Sequence, residues 1–451
     1  MKKDKSQLIL YEKNMYKAFM ILSLPVMCAN FLKALHDMID TFFVGQMENS
    51  VAAQAGMSIS WPLLNILLSF NVGLAVAGVA VISQLLGANQ KEEARHYSGL
   101  LLVASIIMGA VVNALLFVTS PAVMRLMGAE GEVLSCAVDY LRIRSFEMIF
   151  AFVFTAFQAA RQAQGDTVTP VILSAISVVI NIIFTAVFIR IMNMGVRGAA
   201  YATVLGQTVV TPFVLWGFFK GKTELRLGIS DIAWDRKGML KLFRIAAPSA
   251  GSQALPSLGF LILQAVILDY GKEVSAAFSI GNKISNMLLI VVMALSTVMA
   301  AFVGQNIGAH NKHRAQKSYI ASRNIALAMT FVGIIILFPV RRFMVELLSN
   351  DPQTIQITME YIIWVLLAQP LFALFQNYLG VFNGSGNTRL SLWMSVARLW
   401  FMRLPLILIF KICTDFGRKG IWYSMIISNI LIALLGHFLL KKVNYEPKIK
   451  S

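Results

Sequence analysis

Twelve long apolar runs, separated by short polar segments, follow one another along the chain. Ile106–Val118 and Val171–Ile189 contain no charged residue at all. Crossing the roughly 30 Å of bilayer hydrocarbon takes about 20 helical residues. In lipid the backbone must pair its own polar groups, which leaves only helices or a closed barrel. Barrel strands alternate apolar and polar residues with a period of two, and these runs do not. The pattern therefore predicts membrane helices at 17–44, 53–86, 97–119, 134–160, 168–193, 196–219, 243–270, 275–308, 318–339, 354–382, 389–413 and 419–441. The longest connection, 220–242, is a mixed-charge stretch and reads as a linker.

Composition agrees. Of 451 residues, 57% are apolar and only 14% charged, where a soluble chain carries about a quarter charged. The net charge of +17 would suit a nucleic-acid binder, but most basic residues sit in the short loops, as the positive-inside bias produces. By these boundaries roughly 23 Lys and Arg fall on one side and roughly 9 on the other, so both termini are expected in the cytoplasm. Cys28, Cys136 and Cys413 have neither disulfide nor metal spacing. The first apolar run holds Lys33, His36, Asp37 and Asp40 with no small-residue cleavage site after it. It reads as a first span rather than a removable signal.

The chain also repeats itself. SQLLGANQKEEAR at 83–95 aligns with GQNIGAHNKHRAQ at 304–316, a shift of 221. The same shift pairs Asp139-Tyr140 with Glu360-Tyr361, and Gly165 and Thr167 with Gly386 and Thr388. A shift one larger pairs Gly195, Gly198 and Tyr201 with Gly417, Gly420 and Tyr423. The expected domains are a lobe at 1–220, a cytoplasmic linker at 221–242 and a lobe at 243–451. Six spans per half is an even number, so both halves enter from the same side as parallel repeats, an arrangement in which transporters put the substrate path between the halves.

An ionisable side chain inside a span is costly and is a functional candidate by default. Asp40 stands foremost: burial disfavours its charge unless a proton, a sodium ion or a cationic ligand accompanies it, one at a time. His36 and Asp37 lie one turn earlier and are candidates to line a cavity. His36 and Asp40 alone give no credible metal site. Asn181, Thr203 and Tyr140 offer neutral oxygens that can complete a cation shell, or bond helix to helix. Arg142, Arg144 and Glu147 share one span, and Glu147 is expected to pair with one of the arginines. Lys283, Arg398 and Arg403 either line a cleft or snorkel. Pro25 interrupts the first span and kinks or hinges it, with Pro248 in the matching place. The 23 methionines and 30 phenylalanines suit a promiscuous pocket but are also ordinary lipid-facing filler.

LPVMCANFLKALHDMIDTFFVGQ, NVGLAVAGVAVISQLLGANQ, QGDTVTP, NMGVRGAAYATVLGQ and FVGQNIGAHN, in that order, resemble the MATE (multidrug and toxic compound extrusion) transporters, nearer the DinF-like and MepA-like branch than the NorM-like one. The resemblance implies an all-α integral membrane fold of twelve helices in two pseudo-symmetric six-helix lobes around a cleft. It further implies a monomer in the bacterial inner membrane, exporting organic cations or amphipathic compounds by antiport with H+ or Na+, without a cofactor. It places Asp40, Asn181, Thr203 and Tyr140 in the family's cation site and the bend of the first helix at Pro25. One departure bears on the ion. Many relatives carry an aspartate four residues after the span-five asparagine; here that residue is Thr185, which leaves a thin site for sodium and favours the proton. The rival readings are a lipid-linked or oligosaccharide flippase of the same superfamily, an exporter of an unknown metabolite, and a membrane-embedded enzyme. The enzyme lacks its chemistry, with neither a Gly-rich phosphate loop nor a nucleophile elbow in sight.

Overall fold

The computed structural model describes residues 5–45, 50–221, 225–228, 231–232, 234–349 and 351–447. Among them every regular element is a helix. A short α1 (Lys5–Tyr11) precedes α2 (Met15–Gly45), α3 (Ser50–Gly87), α4 (Lys91–Leu126), α5 (Gly131–Ala163), α6 (Val168–Ala186) and α7 (Gly195–Phe219). The second series is α8 (Arg236–Leu268), α9 (Lys272–Gly308), α10 (Lys312–Leu348), α11 (Pro352–Gly384), α12 (Thr388–Val396), α13 (Leu404–Cys413) and α14 (Lys419–Lys441). A π-helical turn, Val187–Ile191, continues α6; another, Ala397–Arg403, joins α12 to α13. Eleven helices among the described residues are long and apolar enough to cross a membrane. The twelfth span is α12, its π turn and α13 in unbroken succession.

Several helices outrun their apolar runs, and at three of them a side chain caps the extended start. α8 begins seven residues before its apolar stretch because Asp235 accepts hydrogen bonds from the Lys237 and Gly238 amides, both at 2.9 Å, two donors that a helix start otherwise leaves orphaned. Asn311 does the same for α10 through the Arg314 amide, and Asp351 for α11 through the Thr354 amide. Large apolar side chains stay on the outside, with Ile335, Leu367 and Phe401 all more than 60% exposed. A soluble monomer seldom shows so much apolar surface; bilayer lipid covers it. α2 stays helical through Pro25 and α8 through Pro248.

The repeat is visible in the backbone itself. Asn89 and His310, 221 positions apart, both take positive φ, 59° and 54°, in the turns that follow α3 and α9. Gly165 and Gly386 match in the same way, as do Gly195 and Gly417. Arg197 pairs with Asp139 at 2.8 Å, and at the corresponding place Arg418 pairs with Glu360 at 3.0 Å.

The halves meet along α3 and α8, α3 and α9, and α2 and α9. At the end of α3 and α9 nearest the Lys91 and Lys312 turns the contact is two-fold symmetric. Gln84 Nε2 donates to the Gly384 carbonyl at 3.2 Å, and Gln305 Nε2 donates to the Ala163 carbonyl at 2.6 Å. A Cβ on Gly87 would strike the Gln305 carbonyl, and one on Gly308 the Gln84 carbonyl. Only glycine permits this backbone approach, which closes the bundle at that end. Gly308→Val should therefore pry the two helices apart. The measurement is maleimide labelling of a cysteine placed at the fully buried Ser83, with the three natural cysteines replaced. Labelling should rise sharply in the valine variant, and equal labelling would contradict a closed crossing.

Candidate functional site

Each half encloses a small polar interior behind its apolar shell. In the first half, Asn181 on α6 and Thr203 on α7 are 2% and 6% exposed. Asn181 Nδ2 donates to Thr203 Oγ1 at 3.1 Å, and Thr203 Oγ1 donates to the Ala199 carbonyl at 3.0 Å. Thr185 Oγ1, fully buried one turn along, reaches Asn181 Oδ1 at 3.5 Å. Three of the sequence candidates thus form one hydrogen-bonded chain across the α6–α7 seam. Gly206 allows it: a Cβ there would press on the Ser177 carbonyl.

A charged interior lies on α5. Arg144 and Glu147 are one turn apart and nearly buried, and Arg144 Nε meets Glu147 Oε2 at 2.6 Å. The same guanidinium donates from Nη1 to the Tyr140 hydroxyl at 2.8 Å and sits over the Tyr140 ring at 5.5 Å. Glu147 has therefore taken Arg144 as its partner. Arg142 instead faces outward over the Phe117 ring. Tyr140, 4% exposed, joins this charged set, and its hydroxyl is engaged by a cation of the protein itself.

α2 packs lengthwise against α6 and touches α7, which brings the helix carrying Asp40 alongside the Asn181–Thr203 chain. Near its end, Arg190, on the π turn after α6, lies over the Phe43 ring at 5.2 Å. The side chains of Asp37 and Asp40 lie outside the described residues. His36, on the same helix, is half-buried. Pro25 is half-buried fifteen residues before Asp40.

The second half carries an interior of a different kind, which the sequence signalled only as stray arginines. Arg398 and Arg403 are 7% and 6% exposed, so neither snorkels to the membrane surface. Lys283, by contrast, is exposed. Among the described residues no group of three or more His, Cys, Asp or Glu side chains could hold a metal.

The MatE family model matches the chain twice, over residues 25–187 and 248–409. The chain belongs to the MatE family. It is thereby a member of a family of multidrug efflux transporters. The double match follows the repeat already seen in the turns. Curated relatives include a probable multidrug resistance protein NorM of Thermotoga maritima, 28% identical over 93% of this chain and 90% of its own. The multidrug export protein MepA of Staphylococcus haemolyticus is 24% identical over 97% and 96%. A crystal structure of a MATE in complex with MaD3S superposes with a TM-score of 0.91 at 21% identity, covering 98% of both chains. An outward-facing multidrug resistance MATE transporter gives 0.91 at 22% over the same share. These likenesses carry the fold: a multi-pass all-helical membrane protein in two pseudo-symmetric halves.

Proposed function

We propose that this chain exports small organic cations or amphipathic compounds across a bacterial cell membrane by antiport with protons. It works as a monomer without a cofactor, with both termini in the cytoplasm and with lobes at 1–220 and 243–451, joined by the 221–242 linker, that rock against each other. The observation that carries the reading is the buried chain Thr185–Asn181–Thr203 beside the helix of Asp40. Its oxygens are neutral and already bonded to one another. A sodium ion needs several hard oxygens at once, whereas a proton needs only one carboxylate. In this reading Asp40 holds either the proton or the cargo cation, Asn181, Thr203 and Tyr140 shape the cavity around it, and His36, Asp37 and Thr185 line it. Pro25, with its missing backbone donor, is where α2 bends between the two states. The names of the MepA and NorM relatives support the drug-like cargo.

The test is uptake of a fluorescent organic cation into proteoliposomes under a proton gradient or a sodium gradient alone. The proton gradient should drive accumulation and the sodium gradient should not. Accumulation driven by sodium alone would reverse the ion assignment, and a response to neither would end the antiport reading.

A further inference from the structure

The two halves are built on corresponding elements, yet their interiors differ in charge. In the first half Tyr140 on α5 lies with an Arg144–Glu147 pair, and that guanidinium has a carboxylate at 2.6 Å. In the second half the matching tyrosine, Tyr361 on α11, is fully buried and donates to Asn282 Oδ1 at 3.1 Å. The positions 221 beyond Arg144 and Glu147 are Val365 and Ala368. No carboxylate faces this tyrosine's surroundings among the described residues. The second half's interior charge comes instead from two guanidinium groups, both on the π turn Ala397–Arg403.

Among the described residues Arg403 has only neutral hydrogen-bond partners. Its Nε donates to Ser428 Oγ and its Nη2 to Asn429 Oδ1, both at 3.2 Å. Arg398 lies between the Phe372 and Phe375 rings, 4.8 Å from each centroid. Its Nε is buried and has no hydrogen-bond partner. The acids on the second half's helices that have a cation partner, Asp269, Glu346 and Glu360, are taken by Lys411, Arg342 and Arg418. Two cations more than nine-tenths buried within a membrane span, and facing no acid among the described residues, are expensive. A π turn, which inserts an extra residue into a helix and redirects its side chains, commonly marks a functional site. A planar guanidinium with free N–H groups is suited to carboxylate or phosphate oxygens.

We infer that the interior of the second half is an anion-accepting subsite, in which Arg398 and Arg403 take the carboxylate or phosphate group of an amphipathic or zwitterionic cargo whose cationic part is served by the first half. This deepens the proposed function and rests on it, because it treats the interior as part of the cargo path. It predicts that cargo with both charges is preferred over cargo with a positive charge alone. The aromatic pair around Arg398 supplies the flat apolar contact that such an amphiphile needs.

The experiment measures binding, not transport, so that it stands apart from ion coupling. The probes are rhodamine B, which carries a xanthylium cation and a free carboxylate, and its ethyl ester, which has the same cation and no carboxylate. Binding to the purified full chain in neutral phosphatidylcholine nanodiscs is read by fluorescence anisotropy. The acid should bind at least tenfold more tightly than the ester. Arg398→Gln and Arg403→Gln should erase that preference by weakening the acid alone, and Arg403→Lys should keep most of it. Equal affinity of the two dyes for the unaltered protein would overturn the inference, as would variants that weaken both dyes alike. The unaltered protein decides the point even if a glutamine variant does not fold. Repeating the measurement with phosphatidylglycerol separates the sources of anion. A preference lost in that lipid would assign the arginines to lipid phosphate and overturn the cargo assignment. A dye preference without proton-driven uptake would leave the subsite standing and sink the coupling scheme instead.

Discussion

Asp40→Asn is expected to reduce gradient-driven export to the level of protein-free vesicles, while the folded protein is recovered in normal amount. Asparagine has nearly the shape of aspartic acid and keeps its hydrogen-bonding reach. What it loses is the ability to trade a proton for a cation. A carboxylate inside a span is unfavourable unless something neutralises it, and in the proposed antiport that cost couples the two cations while the proton gradient drives their exchange. In the proposed scheme a cargo cation takes the place of the proton when it leaves, and a proton returns when the cargo leaves. An amide has no charge to neutralise, so neither event is linked to the other. The measurement is proton-driven dye accumulation, with size-exclusion behaviour as the check on folding. Full accumulation by the variant would remove Asp40 from the coupling step, and Glu147, a buried carboxylate on α5, would then be the group to replace.

The second large effect is on stability. Arg144→Met is expected to destabilise the protein by about 3–5 kcal/mol, the usual result of removing one partner from a buried ion pair. Glu147 is 7% exposed and its carboxylate stands 2.6 Å from Arg144. Without the guanidinium it must stay charged in a poor solvent or take up a proton. The Tyr140 hydroxyl loses a donor in the same step. Arg144→Met combined with Glu147→Met should recover most of the loss, because two apolar side chains often replace a buried pair at little cost. Thermal unfolding of the detergent-purified protein measures both. A double variant as unstable as the single one would mean that Arg144 supports the fold through Tyr140 rather than through its charge partner.

Helix number and order were legible in the chain because lipid leaves so few choices. An apolar run of spanning length can only be a helix, and twelve such runs account for α2 to α14. The duplication was equally plain, since the positions that repeat are those with strict backbone demands. Gly165 and Gly386, or Gly195 and Gly417, hold positive φ in tight turns, and few residues other than Gly and Asn do so readily. The helix ends were less legible. Hydropathy ends where charge begins, whereas a capped helix such as α8 or α10 continues into charged residues.

The polar interiors divide in the same way. Intramembrane cost singles out Asp40, Asn181, Arg144 and Glu147 from sequence alone, and an i, i+3 spacing allows the Arg144–Glu147 pair. That Asn181 spends its amide on Thr203, and that Tyr140 answers to Arg144, depends on how α5, α6 and α7 pack. Nothing local announces the second half's arginines as buried. Their span is apolar on every side, and a guanidinium on a long stem can equally snorkel. The sequence by itself determined the helices, their number, the repeat and the list of costly residues, because each follows from solvation of a single segment. Only the tertiary structure decided which costly residues are neutralised by one another and which are left facing none, because that depends on distances between segments far apart in the chain.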